Sequence, residues 1–231
     1  MIRGLDSEHP REEQYDQLVQ SYANAKRDFI ASHHEPAPEF ILKHFGDPTG
    51  KVLLDAGCGT GDEAAKYEQM GFAAVYGVEP AKQMLDEAFK KVAHPRNFRR
   101  GSYERTGFSD GSVDIVVGQY SLHYVEDLDA AYEELARILR PGGLLVMVVR
   151  HPSWDAAEPD HFQKHGRDYV RTIVYNQVPV ENPVHTMDEY FSPRFKANFE
   201  LIEIQEGTKP DATDKEVVPF FMGFAARRKV S

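Results

Sequence analysis

At 231 residues the chain can form one α/β domain with a modest cap, and its single cysteine, Cys58, excludes an intramolecular disulfide or a site built from several thiolates. The net charge of −10 disfavours nucleic-acid substrates, because phosphate contacts require basic patches. The N-terminus is polar and no apolar run reaches the roughly 20 residues of a membrane helix, so we expect a cytoplasmic protein without membrane segments.

Two helices are predicted within the first 46 residues. Apolar side chains recur at helical spacing over residues 12–32, and a second helix is expected over residues 38–45, before Gly46. We expect these helices to form a lid on the rest of the domain.

Strands and helices then alternate. Short apolar runs predict five strands, at residues 52–54, 73–78, 97–101, 113–118 and 144–149. The intervening helices are predicted at residues 63–70, 81–92 and 128–139. Strands that alternate with helices of this length indicate crossover connections and a parallel sheet.

The last third has a different pattern. Residues 151–183 show no clear period, as is common for functional insertions. A helix is predicted at 186–196, followed by two strands at 199–205 and 217–227 that could form an edge hairpin.

We therefore predict a single α/β domain, residues 1–231, around a doubly wound, Rossmann-like, mostly parallel sheet of seven strands. Its parts are the N-terminal helical lid (1–46), a cofactor-binding core (47–150), a substrate cap inserted after the fifth strand (151–185), and a C-terminal helix with two strands (186–231).

A glycine-rich loop follows the first predicted strand. Gly57, Gly59 and Gly61 alternate at the junction of this strand with the next helix, and glycine allows positive φ and close approach of a ligand. The ligand would lie at the carboxyl edge of the sheet, beside a helix N-terminus. A dinucleotide fingerprint needs a third glycine where this chain has Asp62. The carboxylates of Asp55 and Asp62 favour a ligand with an ammonium group instead.

Glu79 ends the second predicted strand, about 20 residues beyond the loop. A carboxylate in this position can accept both hydroxyls of a ribose. Alternatively it stabilises the N-terminus of the helix that follows Pro80. Together with the glycine loop, it favours a nucleoside ligand.

The order and spacing of four motifs resemble those of class I S-adenosylmethionine-dependent methyltransferases, in particular the small-molecule group with a methyltransferase domain 11. Besides the glycine loop, the matching stretches are residues 101–104, 108–114 and 139–143, within a resemblance that spans residues 51–150. The resemblance implies S-adenosyl-L-methionine as cofactor, S-adenosyl-L-homocysteine as product, and methyl transfer to an O, N or C atom of a small-molecule acceptor.

The resemblance also implies the cofactor-binding residues. The glycine loop would hold the methionine end and Glu79 the ribose, while Gln119 and Tyr120 would face the sulfur and methyl. Tyr22 resembles a tyrosine that closes over the methionine tail in many relatives. The full predicted set is Tyr22, Asp55, Gly57, Cys58, Gly59, Glu79, Pro80, Met84, Ser102, Tyr103, Glu104, Gln119 and Tyr120.

Residues 102–104 are expected near the adenine. Ser102 stands where many relatives have an aspartate that binds the adenine amino group, so serine, a water or Glu104 would make this contact. Tyr103 would offer its backbone amide, and its ring could stack on the adenine or lie on the surface.

Two histidines at predicted strand ends are candidates for a general base, which helps when the acceptor is a hydroxyl or ammonium group. His123 follows the fourth strand, and a structural role is favoured for it. His151 follows the fifth strand at the mouth of the cap and is the better candidate. No metal site is predicted.

The sequence leaves two alternative functions open. The protein could be a non-catalytic partner subunit that keeps the cofactor pocket, or a nucleotide-linked oxidoreductase, which Asp62 disfavours.

The C-terminal strands could also pair two copies of the chain as a homodimer.

Overall fold

The computed structural model describes residues 18, 19, 21, 36–174, 178–208 and 218–230, and these form two β-sheets. The strands are β1 (Val52–Ala56), β2 (Ala74–Glu79), β3 (Phe98–Arg100), β4 (Val113–Gln119), β5 (Leu139–Arg150), β6 (His161–Lys164), β7 (Arg167–Val174), β8 (Val178–Pro183), β9 (Phe199–Gly207) and β10 (Phe221–Arg228).

The larger sheet has the order β3-β2-β1-β4-β5-β10-β9. Strands β1 to β5 are parallel, and β10 runs antiparallel between β5 and β9. The predicted seven-stranded, mostly parallel, doubly wound sheet is therefore confirmed. Because the chain reverses its winding between β1 and β4, a crevice is expected where these strands end.

Helices cover both faces of this sheet. They are α1 (Pro36–His44), α2 (Asp62–Tyr67), α3 (Lys82–Ala88), α4 (Leu128–Ile138), α5 (Pro152–Ala157), α6 (Met187–Tyr190) and α7 (Pro193–Asn198). A short 3₁₀ turn, Leu122–Tyr124, follows β4. Within the described ranges, no helix has both the length and the apolar character needed to cross a membrane.

The core consists of two layers, one on each face of the sheet. Alternate residues of β5 point to opposite layers: Leu145, Met147 and Val149 face α4 and α7, and the residues between them face α1 and α2. Burial on both faces explains why this strand is an uninterrupted apolar run rather than an alternating one.

The single helix predicted over residues 186–196 is wrong, because two short helices occupy this stretch. Pro193 begins α7, where its missing N–H is tolerated, and the Ser192 hydroxyl accepts a hydrogen bond from the Phe195 amide. A Ser-Pro pair therefore starts a new helix instead of continuing the old one.

The segment after β5, for which the sequence shows no period, contains α5 and the smaller sheet. Strands β6, β7 and β8 are antiparallel neighbours. His165 and Gly166, both with positive φ, turn the chain between β6 and β7. The predicted lid helix and its Tyr22 lie outside the described residues, apart from residues 18, 19 and 21, which are helical.

Candidate functional site

The glycine loop connects β1 to α2 through three left-handed glycines. Gly57 has φ +71°, and an added Cβ there would lie 2.5 Å from the Ser121 Cβ, so glycine lets the loop pack against the end of β4. Gly59 has φ +52°, and an added Cβ would have no neighbour within 4 Å. The loop therefore packs tightly at Gly57 and leaves open space at Gly59.

Gly61 and Asp62 have different roles in this loop. An added Cβ on Gly61 would lie 2.9 Å from the Ala88 Cβ, so Gly61 allows close packing of α3. The Asp62 carboxylate accepts hydrogen bonds from the Thr60 hydroxyl at 2.6 Å and the Lys91 ammonium at 2.7 Å. Because Lys91 offsets the charge of Asp62, this carboxylate is less suited to attract an ammonium group than we expected. Asp55, the other carboxylate that we expected to do so, lies buried near the end of β1.

Glu79 is held by two backbone amides. Its Oε2 accepts a hydrogen bond from the Gly59 N–H and its Oε1 from the Ala81 N–H, both at 2.9 Å. Glu79 is 7% exposed, so these two hydrogen bonds hold a nearly buried carboxylate. Glu79 thus ties the glycine loop to the start of α3, where Met84 packs against Val19.

The predicted adenine region is a tight turn. The backbone groups of Ser102 and Arg105 exchange two hydrogen bonds of 3.2 Å. Ser102 and Glu104 are partly buried, as is Pro80, whose carbonyl accepts a hydrogen bond from the Arg100 side chain at 3.0 Å.

The Tyr103 ring does not stand where a ligand could stack on it. It is 5% exposed and packs in the core, with its hydroxyl 2.9 Å from the Ala56 carbonyl and 2.8 Å from the Ser121 hydroxyl. The expectation of a stacking or surface ring was therefore wrong, because the turn directs this side chain inward. The Cys58 side chain also points inward, because its sulfur faces Gly77. Only the backbone of Cys58 would therefore be available to a ligand at the loop.

The end of β4 carries two side chains of the predicted set. The Gln119 Oε1 is buried and has no hydrogen-bond partner in the part of the chain that the structure describes. Tyr120 has φ +51° and donates its N–H to the Val148 carbonyl at 2.7 Å. A bulky residue in the left-handed region is uncommon and is found preferentially at functional sites.

His123 lies next to this strand end, in the 3₁₀ turn. It is 1% exposed, and neither ring nitrogen has a hydrogen-bond partner among residues 36–174, 178–208 and 218–230. Burial lowers the pKa of His123 well below its usual value, and the nearby Arg150 and His185 lower it further. The imidazole is therefore neutral at physiological pH.

His151, the other predicted base, is held at the start of α5. Its Nδ1 accepts a hydrogen bond from the Ser153 N–H at 3.1 Å, and its Nε2 lies 2.8 Å from the Glu206 carboxylate. Neither ring nitrogen can take a proton from an acceptor without losing one of these contacts. The catalytic roles of His151 and His123 remain predictions.

A buried ionic cluster joins β5 to the segment that follows it. Arg150 pairs with Asp155 at 2.7 Å and with Glu158 at 3.3 Å, and it also donates to the Thr172 hydroxyl of β7. Asn182 donates to Asp155 at 3.3 Å. Burial raises the pKa of Asp155 to about 6, although the Arg150 charge acts in the opposite direction. The sequence does not predict that Asp155 and Asn182 belong to this cluster, because no local pattern indicates a contact between distant elements.

A groove of about 430 Å³ lies elsewhere, between residues 126–129 and the β6–β7 hairpin. Its polar groups bond to one another: Arg167 pairs with Glu189, and the Ser192 hydroxyl donates to Asp129 at 2.6 Å. The carboxyl edge of the sheet at the glycine loop, where the strand order predicts a crevice, is therefore a better candidate for the cofactor site than this groove. In the described ranges, no group of three His, Cys, Asp or Glu side chains is placed to hold a metal ion.

The chain is similar to known methyltransferases. Residues 54–147 match the model of a methyltransferase domain family. An uncharacterised methyltransferase of Geobacillus thermodenitrificans is 29% identical over 136 residues, which cover 58% of this chain and 60% of that protein. A malonyl-[acyl-carrier protein] O-methyltransferase of Serratia marcescens is 32% identical over 126 residues, covering 54% and 49% of the two chains. The chain thus spans about half to three-fifths of these relatives.

The fold has solved counterparts as well. A Listeria monocytogenes structure described as an S-adenosylmethionine-dependent methyltransferase superposes with a TM-score of 0.66 at 20% identity, covering 85% of this chain and all of that one. The family match thus identifies residues 54–147 with a methyltransferase domain, and the chain, with this strand order, shares its fold with this solved structure.

Proposed function

We propose that this protein binds S-adenosyl-L-methionine at the carboxyl edge of the sheet and transfers its methyl group to a small-molecule acceptor. The observation that carries the proposal is the Glu79 carboxylate, which the Gly59 and Ala81 amides hold beside the open space at Gly59. A carboxylate that is fixed in this orientation suits the two hydroxyls of a ribose.

The residues present fit this cofactor at both ends. The buried Asp55 carboxylate would attract the ammonium of the methionine part, and Gly59 leaves space for it. Glu79 would bind the ribose, and the turn at Ser102 and Glu104 would meet the adenine with its backbone and side chains. Bound cofactor supplies an electrophilic methyl group on a sulfonium, with a neutral leaving group.

The acceptor would bind between the end of β4 and the segment 151–185, which we propose as the substrate cap. The protein's contribution would be alignment of the nucleophile and exclusion of water. Gln119 would lie nearest the methyl group. His123 is the candidate base for a hydroxyl or amine acceptor, because it is neutral and its ring nitrogens have no partner among the described residues.

The predicted homodimer is part of this proposal. Strand β9 is an edge of the sheet and exposes Leu201, Ile202 and Ile204. Edge strands with apolar side chains favour pairing with another chain.

Calorimetric titration with S-adenosylmethionine, S-adenosylhomocysteine and NAD tests the cofactor. We expect micromolar binding of the two sulfur compounds and at least a ten-fold loss in Glu79→Ala, since charged hydrogen bonds are lost. Glu87→Ala is the matched control, because Glu87 is on α3 and pairs with Lys90. Absence of binding by the wild-type protein, or a preference for NAD, would refute the proposal.

A further inference from the structure

Tyr103 reaches from the turn after β3 to the ends of β1 and β4. Its hydroxyl lies 2.9 Å from the Ala56 carbonyl and 2.8 Å from the Ser121 hydroxyl, and the Ser121 hydroxyl is itself 2.9 Å from the same carbonyl. The side chain fits because Gly118 has no Cβ, since a Cβ there would overlap the Tyr103 hydroxyl. Three segments therefore meet at one buried pair of hydroxyl groups.

The two hydroxyls carry two protons for three contacts between oxygen atoms, and the Met147 sulfur, 3.8 Å from the Tyr103 hydroxyl, is a weaker fourth acceptor. If one hydroxyl donates to the other, the second donates to Ala56; otherwise both donate to Ala56, whose carbonyl has two lone pairs. In each of these arrangements Ala56 accepts at least one hydrogen bond. Burial raises the pKa of Tyr103 far above its usual value, so its hydroxyl keeps its proton. Either residue can therefore satisfy the carbonyl alone.

This pair adjoins the two parts of the candidate cofactor site. Ala56 directly precedes Gly57, whose hypothetical Cβ would lie 2.5 Å from the Ser121 Cβ. Ser121 directly follows Tyr120, which has the left-handed backbone at φ +51°. A shift of Ser121 or Ala56 would therefore move both the loop and the end of β4.

We propose that Tyr103 and Ser121 are redundant positioning residues, which fix the glycine loop to the end of β4 and so set the affinity for the S-adenosyl cofactor. This inference rests on the proposed function. Neither side chain needs to touch the cofactor: each acts through the Ala56 carbonyl. The loss of one hydroxyl leaves a side-chain donor in place, whereas the loss of both leaves the buried Ala56 carbonyl without either side-chain donor.

The test is a double-mutant cycle read by S-adenosylhomocysteine calorimetry. We expect Tyr103→Phe and Ser121→Ala each to weaken binding less than about three-fold, and the double variant to weaken it on the order of ten-fold or more, beyond the product of the single effects. Tyr132→Phe is the matched control, because the Tyr132 hydroxyl is equally buried and donates to the Tyr190 carbonyl at 2.9 Å, away from the loop. It should lower stability but leave the affinity unchanged.

The outcomes separate the inference from the proposed function. If the wild-type protein binds and the double variant binds equally well, the positioning role is overturned and the proposed function stands. If the wild-type protein does not bind, the proposed function fails and the inference fails with it. Should the double variant not fold, Tyr103→Phe with Ser121→Cys retains a weak donor. Binding weaker than that of Tyr103→Phe alone supports the role, and equal binding overturns it.

Discussion

The Gly59 amide donates a hydrogen bond to the Glu79 carboxylate at 2.9 Å, across twenty residues of sequence. This contact fixes the loop at the point where its surface is open, because an added Cβ on Gly59 would meet nothing within 4 Å. The side of Gly59 that faces away from the protein is therefore the side that the proposed cofactor would contact.

Gly59→Ala should weaken cofactor binding while it lowers the stability of the fold only slightly. The new methyl group costs the fold only the left-handed backbone of an alanine, roughly 1–2 kcal/mol. It extends into the space proposed for the cofactor, so S-adenosylhomocysteine affinity should fall on the order of ten-fold or more. Gly71→Ala is the control, since Gly71 has φ +93° and equally open surroundings at the far end of the α2 segment. Equal affinities of the two variants, measured by calorimetry, would contradict the proposed placement.

Gly118→Ala should destabilise the protein through Tyr103. The added methyl group would overlap the Tyr103 hydroxyl and lie 2.7 Å from the Met147 sulfur, and such overpacking costs about 1–3 kcal/mol. Urea unfolding measures the loss. Adding Tyr103→Phe removes the overlapping oxygen and should restore part of the stability, whereas strictly additive effects would show that the two residues are not coupled.

The parallel strands β1 to β5 and the glycine loop could be predicted because the sequence patterns that indicate them are local. Apolar runs mark the buried strands, and alternating glycines after β1 mark a loop with positive φ, as found at Gly57, Gly59 and Gly61. Glu79 was predicted by its distance from this loop, and its contact with the Gly59 amide is consistent with a fixed carboxylate at that position.

What the sequence could not predict depends on contacts between distant elements. The inward direction of Tyr103 is decided by Gly118 and Ser121, far along the chain. The sheet of β6 to β8 was missed because its buried positions do not alternate regularly. The engagement of His151 by Glu206 requires β9 to lie beside the start of α5, which no local pattern indicates.

His151 should act mainly on stability. His151→Asn keeps an acceptor for the Ser153 amide, whereas His151→Ala removes it, so the alanine variant should be less stable than the asparagine variant by about 1 kcal/mol. Urea unfolding of both variants measures this difference. Equal stabilities would mean that the imidazole does not cap α5.

Asp155 should make the protein less stable as the pH rises from about 4 to about 6. Its pKa is raised to about 6 in the folded protein and has its ordinary value near 3.8 when unfolded, so in this window the folded state binds more protons. Stability from this group is present at low pH and is lost as the pH rises through the window, by roughly 3 kcal/mol in total.

Asp155→Asn should remove this component. The difference in unfolding free energy between the wild-type protein and the variant should change across pH 4–6 and level off outside it. Asp160→Asn is the control, because Asp160 is an exposed carboxylate in the same segment. A difference that stays constant with pH would show that Asp155 titrates normally.

His123 should remain neutral well below pH 6.5. Burial lowers the pKa of this imidazole, and the nearby Arg150 and His185 lower it further. Because the unfolded chain then binds a proton that the folded protein does not, stability is lost as the pH falls below the pKa of the unfolded histidine. In NMR spectra the imidazole signal that disappears in His123→Asn should keep the chemical shift of a neutral ring as the pH is lowered through about 6.5. A midpoint at or above 6.5 would contradict the burial argument, because an imidazole in water titrates there. The shift of a neutral ring would mean that one of the two imidazole nitrogens is unprotonated at physiological pH, the form that a base for a hydroxyl or amine acceptor requires.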